Sequence, residues 1–271
     1  MTKNNQGAQA AKGKPYLTGS PVDQQTPKAA LSLFATLLMM GFIYLLLGGM
    51  FGGNGWYAVV LNILLLAVTW TIYYSLGQSA GTIAVNTGEI MYRRQETDRE
   101  ITPAERARCY HPLKGFIIGL LATAPVFLMT LVFALITKRQ MYTPGPLPSW
   151  VTAMASRPDV LEPLNVYTRT VSVDAESVLR IAVRMLVMPW INLFGQGSAD
   201  RLLLIERLAP LLILLPGLCY GIGYLMGTQE RARVHANIEE GKRKQRKKAA
   251  RARRVKQRAA ASRSRGPERL N

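Results

Sequence analysis

Residues 29–77 read AALSLFATLLMMGFIYLLLGGMFGGNGWYAVVLNILLLAVTWTIYYSLG, and this stretch decides the class of fold. It lies inside a run of sixty residues, between Lys28 and Glu89, that contains no Asp, Glu, Lys, Arg or His. A helix of a soluble domain has a wet face that needs charge, whereas a helix facing lipid does not. The stretch therefore reads as two membrane spans, residues 30–51 and 56–76, broken by Gly52-Gly53-Asn54-Gly55. Trp56 and Tyr57 stand where an interfacial aromatic belt is expected.

Two further runs have the roughly twenty apolar residues that a bilayer requires, 115–137 and 208–227. Lys114 and Lys138 bracket the first, and their stems are expected to snorkel to the headgroups. A fifth stretch, 174–194, is ambiguous. Asp174 suits a helix N-cap, and Glu176, Arg180 and Arg184 recur every four residues, so they share a face and can pair. The uncharged part, Met185–Ala199, contains Pro189 and Gly195 and is short for a span. An interfacial helix fits it better, with a re-entrant segment as the second choice.

Charge sets the orientation. The chain has 271 residues with 34 Lys plus Arg against 16 Asp plus Glu. Residues 228–271 alone hold sixteen basic and four acidic residues. With four spans, the N-terminus, the 77–114 loop and this tail share one side and carry twenty-six basic residues, against eight in 138–207. The excess of Lys and Arg marks the cytoplasmic side. The expected fold is thus all-α: a polytopic membrane protein with a four-transmembrane-helix bundle, an outer interfacial helix and a basic, partly helical cytoplasmic tail. Residues 1–28 are polar and expected to be a disordered cytoplasmic N-terminus without a secretory signal. Residues 29–227 form the membrane domain, with a cytoplasmic loop 77–114 and an outer segment 138–207. The short connections suit a bacterial inner (plasma) membrane, crossed several times with both termini cytoplasmic.

Small residues recur at helical spacing. Gly77, Gly81, Ala84 and Gly88 form one stripe, Gly115 and Gly119 a second, and Gly217/Gly221 with Gly223/Gly227 a third. Helices in lipid associate by close backbone approach, which such stripes permit. They predict a tight bundle, or a docking face for a second copy or another membrane protein. The second helix is expected to run 33 residues, from Trp56 to Gly88, and so outlast the bilayer. Thr102-Pro103-Ala104-Glu105 predicts a capping box and a short helix reaching about Tyr110. Pro125, Pro210 and Pro216 are expected to bend their helices.

The tail is the one candidate binding element. Its basic residues are Lys242, Arg243, Lys244, Arg246, Lys247, Lys248, Arg251, Arg253, Arg254, Lys256 and Arg258, eleven within seventeen positions and with no acid among them. Helix propensity is high, with Gly241 as the weak point. The cations go nearly all round the helical wheel, so no apolar face exists to enter a bilayer. Candidate partners are the bilayer's anionic headgroups, ribosomal RNA and an acidic protein. No Phe, Tyr or Trp follows Tyr224, which removes the stacking platform that sequence-reading RNA binders use.

Catalytic signatures are thin. Gly77-Gln78-Ser79-Ala80-Gly81 matches G-x-S-x-G, but a nucleophile elbow needs a strand before it. Cys109, His111 and Glu105 make an incomplete metal set. Cys109 in a charged loop and Cys219 in a span imply no disulfide. Glu89, Arg93 and Arg94 read as an anchor at the inner face. The spans hold no charge of the kind that proton relays use. No catalytic residue, cofactor or metal is required. The layout is similar in arrangement to that of some membrane insertases, without a shared motif. The sequence points to a non-catalytic scaffold, assembly factor or complex subunit. A permease or transporter subunit is the alternative, and a membrane enzyme ranks third.

Overall fold

The computed structural model describes residues 15–51, 56–138, 175–195 and 198–264. The helices are α1 (Thr26–Phe51), α2 (Trp56–Glu96), α3 (Pro103–Ala107), α4 (Lys114–Ile136), α5 (Ala175–Trp190) and α6 (Ala199–Ser264). A π-helical segment, Ile191–Gly195, follows α5 directly. Among the described residues there are no strands, only an isolated bridge between Thr18 and Tyr110. Five helices are long and apolar enough to cross a membrane, the fifth being Ala175–Gly195. The Gly52–Gly55 turn and the Asp174 cap lie outside the described residues.

The glycines dictate how the helices lie. A Cβ on Gly77 or Gly81 of α2 would overlap the backbone carbonyls of Tyr220 and Tyr224, and one on Gly223 would overlap that of Tyr74. The partners rise in number together, so α2 and α6 run parallel, backbone against backbone. Gly119 meets Gly217 and Gly221 meets Phe116 in the opposite sense, so α4 runs antiparallel to α6. Leu37 with Val126 and Phe133, and Ala30 with Ile118, align α1 with α4. Two helices therefore run each way. One end of the bundle gathers Thr26, Glu89 and Lys114 and is called the polar end. The other gathers the end of α4 and the start of α6. The small-residue stripes are filled from within the chain: even Gly88 receives the backbone of Leu17. The close approach they permit is thus used within the chain, as a tight bundle requires.

The segment α5 enters and leaves the bundle on one side. Arg180 bonds Thr137 at the end of α4 at 3.1 Å, and Arg184 meets Glu206 near the start of α6 at 2.7 Å. Further along, Leu186 faces Gly41, and Val187 lines a small cavity together with Leu66 and Thr69. The chain then turns back: Asn192 donates to Asn62 at 3.3 Å, and Asn62 is only the seventh residue of α2. Pro189 lacks the N–H that would bond Met185, and Val187 leaves helical geometry at φ −106°, ψ 16°. The sequence expected Glu176, Arg180 and Arg184 to pair along one face. Glu176 does pair with Arg180, at 2.7 Å, but Arg184 pairs with Glu206 instead.

One expectation about the ends is corrected. The described part of the N-terminus, residues 15–25, is not loose but lies along the bundle as a strap. Leu17 N–H donates to the Gly88 carbonyl at 3.2 Å and Gly19 N–H to that of Tyr110 at 2.9 Å. The tail is helical, as expected. It continues the last apolar helix without interruption, through Gly241, to Ser264. The capping box forms as expected around Thr102 and Glu105, but its helix stops at Ala107.

Candidate functional site

The polar end is built where strap, helix starts and the exit of α6 converge. Asp23 comes first in the chain. Its Oδ1 accepts the Thr26 N–H at 2.7 Å and the Gln25 N–H at 2.9 Å, which caps the start of α1. Its Oδ2 accepts from Lys114 Nζ at 2.7 Å, and both side chains are buried, at 4% and 7% exposure. Lys114 also donates to the Ala107 carbonyl at 3.1 Å. The expected snorkelling of Lys114 is therefore replaced by a buried ion pair, because the strap delivers a carboxylate to it. Burial alone would raise the Asp23 carboxyl. Hydrogen bonds from Lys114 and Thr26 outweigh that and hold it below its ordinary range.

Next to this pair stands an aromatic column. Tyr110 stacks on Tyr224 at 5.4 Å, and Tyr16 of the strap meets Tyr110 edge-on at 6.0 Å. Tyr224 is 1% exposed. Its hydroxyl is buried without a hydrogen-bond partner among the described residues. A buried polar group in that state calls for an explanation.

A third cluster fixes the exit of α6. Glu89 of α2 accepts from Arg231 at 3.0 Å and lies 2.7 Å from His235 Nε2, while Arg231 also donates to Asn86 at 2.6 Å. Gln78 donates to Glu230 at 3.3 Å. Glu89, read from the sequence as part of a surface anchor, is buried and ties α2 to the first turns of the tail. Beyond Asn237 the tail stands free. Every side chain from Asn237 to Gln257 is exposed. Ten of the eleven predicted polyanion-binding residues lie in this stretch, and Arg258 follows on the same helix. Among those ten, Lys244 pairs with Glu240, both well exposed, and such a pair holds little.

Between α1 and α2 at the polar end lies a cavity of about 430 Å³. Its walls are Thr26 and Ala29 on α1 and Ala80, Ile83 and Ala84 on α2; Tyr220 and Tyr224 close its back, and Arg94, Glu105 and Arg108 form its rim. A second cavity, near Tyr44, Thr69 and Trp190, is about 30 Å³, room for about one water.

The catalytic alternatives lose their geometry. Ser79 lies exposed within α2 with helix on both sides, so there is no elbow. Burial pushes the Cys109 thiol up, and Sγ donates to the Glu105 carbonyl at 3.7 Å. His111 Nδ1 accepts from the Leu113 N–H at 3.3 Å. Among the described residues no three His, Cys, Asp or Glu side chains gather as metal ligands.

Sequence reasoning missed the Asp23–Lys114 and Glu89–Arg231–His235 clusters. The partners are 91 and 142 residues apart, and no local period joins them. An available signal was that Lys114 opens a helix, the end at which the helix dipole disfavours a cation. No family model matches the chain, and neither a curated protein nor a solved structure matches it.

Proposed function

We propose that the chain is a non-catalytic integral membrane protein, a scaffold or subunit of a larger complex, whose tail holds a polyanion away from the bilayer. In this reading α1, α2, α4 and α6 cross a bacterial inner membrane, with the polar end and both termini cytoplasmic. The basic residues clustered on that side support the orientation. The return of α5 to the side it entered from supports four crossings, with α5 inserted from outside.

The observation that carries the function is the unbroken helix from the last apolar segment into the exposed basic block. From Gly227 to Ser264 it extends about 55 Å. A Debye length is about 8 Å at physiological salt. A rod leaving along the axis of its span thus carries most of its cations beyond the reach of the headgroups. That ranks anionic lipid below a partner standing off the membrane. Cations around the whole circumference suit a partner that surrounds the helix, and structured RNA, such as ribosomal RNA, presents phosphates in that way. An acidic protein surface would meet one face. The permease alternative gains nothing from a mid-bundle cavity of about one water.

The test is binding of a structured ribosomal RNA fragment to the full-length protein in detergent, across salt. With six to ten phosphate contacts, affinity should fall about 10³–10⁵-fold between 50 and 200 mM salt. Replacing all eleven tail cations by Gln should abolish binding. Unchanged affinity in that variant refutes the role of the tail, and binding only to anionic vesicles replaces RNA with lipid.

A further inference from the structure

We infer that the 430 Å³ cavity between α1 and α2 is a site for one anionic glycerophospholipid, with its phosphate at the Arg94–Arg108 rim. The inference rests on the bundle lying in a membrane, and not on what the tail binds. Two observations converge on it.

The first is shape. Near the middle of the bundle α1 and α2 are joined by the Tyr44 hydroxyl, which donates to Thr69 Oγ1 at 2.9 Å. Toward the polar end the two helices part, and the cavity is the gap between them, open at one side. Ile83, on its wall, is strongly exposed, as expected of a residue at a lipid-facing mouth. The volume falls in the roughly 300–1,000 Å³ range of small-molecule sites. It admits a phosphate-bearing headgroup and the first methylenes, while the chains remain in the bilayer.

The second is the split of chemistry along the cleft. Its deep wall is apolar and aromatic: Ala80, Ala84, Ile118 and Tyr220. Its rim is cationic. Of the charges that line it, Asp23 and Lys114 neutralise each other at 2.7 Å. Glu105 shares its carboxylate between Arg94, at 3.1 Å, and the Thr102 cap. Arg108 is exposed and has no ion-pair partner among the described residues. One full positive charge therefore stands unanswered at the mouth, with Arg94 about half exposed beside it. A guanidinium pair matches phosphate in charge and in geometry. A cationic or zwitterionic headgroup gains less.

The experiment uses full-length protein extracted in mild detergent, with native mass spectrometry and thermal unfolding as readouts. Delipidated protein is supplied with phosphatidylglycerol, with phosphatidylcholine, or with soluble glycerol phosphate. The expected result is one retained phosphatidylglycerol per chain and an unfolding midpoint raised by several degrees, with phosphatidylcholine giving less and glycerol phosphate nothing. The double variant R94Q/R108Q should lose at least tenfold in preference for phosphatidylglycerol. Ala80→Leu, which fills the deep wall, should lower occupancy of both lipids. The variant with all eleven tail cations neutralised should keep the lipid, so failure of the tail reading leaves this result standing. Equal stabilisation by both lipids, an R94Q/R108Q protein with unchanged preference, or protection by glycerol phosphate alone overturns the site.

Discussion

From Ala199 to Gly227 helix α6 is held on two sides by α2 and α4, and its Ala209, Ile213, Tyr220 and Tyr224 are buried. From Asn237 to Gln257 the same helix touches nothing, and every side chain is exposed. In the first half, position matters. Gly223 and Gly227 sit against the backbones of Tyr74 and Gly81, and no other residue leaves that approach open. In the second half, only the sum matters. On the proposed reading, any one of the eleven cations can stand in for its neighbour, because a phosphate array reads charge density rather than identity. One helix thus combines a part specified residue by residue with a part specified by composition. The boundary lies where Glu89 grips Arg231 and His235.

The sharpest way to break this contrast is to overfill the packed half. Gly223→Ala puts a methyl onto the Tyr74 carbonyl, a backbone group that moves only if α2 and α6 separate. We expect a loss of about 3 kcal/mol, the upper part of the range for overpacking, since the obstacle is main chain. Thermal unfolding in detergent measures it. A neutral result would mean that α2 and α6 are not in backbone contact.

The boundary is tested by Glu89→Ala. Arg231, about a fifth exposed, would keep Asn86 but lose its carboxylate, and His235 would lose its neighbour. A cost of about 2–3 kcal/mol is expected, below that of a fully buried pair because Arg231 remains partly wet. Hydrogen exchange should rise in the first tail turns, at Arg231–Ala236, and leave Arg251–Gln257 unchanged. Uniform change along the tail would place the boundary elsewhere.

The strap is a third material, polar in sequence like the tail but packed like the bundle. Asp23→Asn keeps a cap but strips Lys114 of its counter-ion in a buried place, for about 2 kcal/mol. The pH dependence follows from the sign of the shift. Asp23 is held below its ordinary value of 3.8 when folded, so the unfolded chain takes up the proton first. Its contribution is complete above about pH 5 and fades as the pH falls through 4 toward the folded value. Proteolysis of the strap between Tyr16 and Gln25 should accelerate below pH 4 in the native protein. In Asp23→Asn it should be fast already at pH 7. A native strap equally resistant at pH 3 and pH 7 would show that the ion pair does not hold it.

What was legible in the sequence follows the same division. The apolar runs, the glycine stripes and the capping box at Thr102 are periodic or local signals, and each reads directly as helix or close contact. The tail was legible as charge because composition is all it has. The strap was not, because Asp23 looks like any solvated acid until a lysine 91 residues away is brought to it. The course of α5 was half legible. Pro189 marked the break in helical geometry near Val187, but Arg184 pairs with Glu206 rather than with the acid on its own helix, and no helical period shows that. The cleft between α1 and α2 was invisible, since a gap is a property of neighbours and not of either sequence.

The smallest expected effect returns to glycine. Gly241 lies on the same helix as Gly223, and nothing stands within 4 Å of a Cβ added there. Gly241→Ala therefore meets no obstacle and should make the tail helix more favourable by about 1 kcal/mol, the propensity difference in a helix interior. The global unfolding midpoint should not move, because the bundle does not feel the tail. Far-ultraviolet circular dichroism of the full-length protein should instead show helix retained to higher temperature after the substitution. If the tail meets its partner as a rod, RNA affinity should rise slightly, since less ordering is left to the binding step. Weaker binding would show that Gly241 serves as a bend. The rod would then become two helices hinged 14 residues beyond Gly227, and the cations after the hinge would be free to turn back onto the membrane surface.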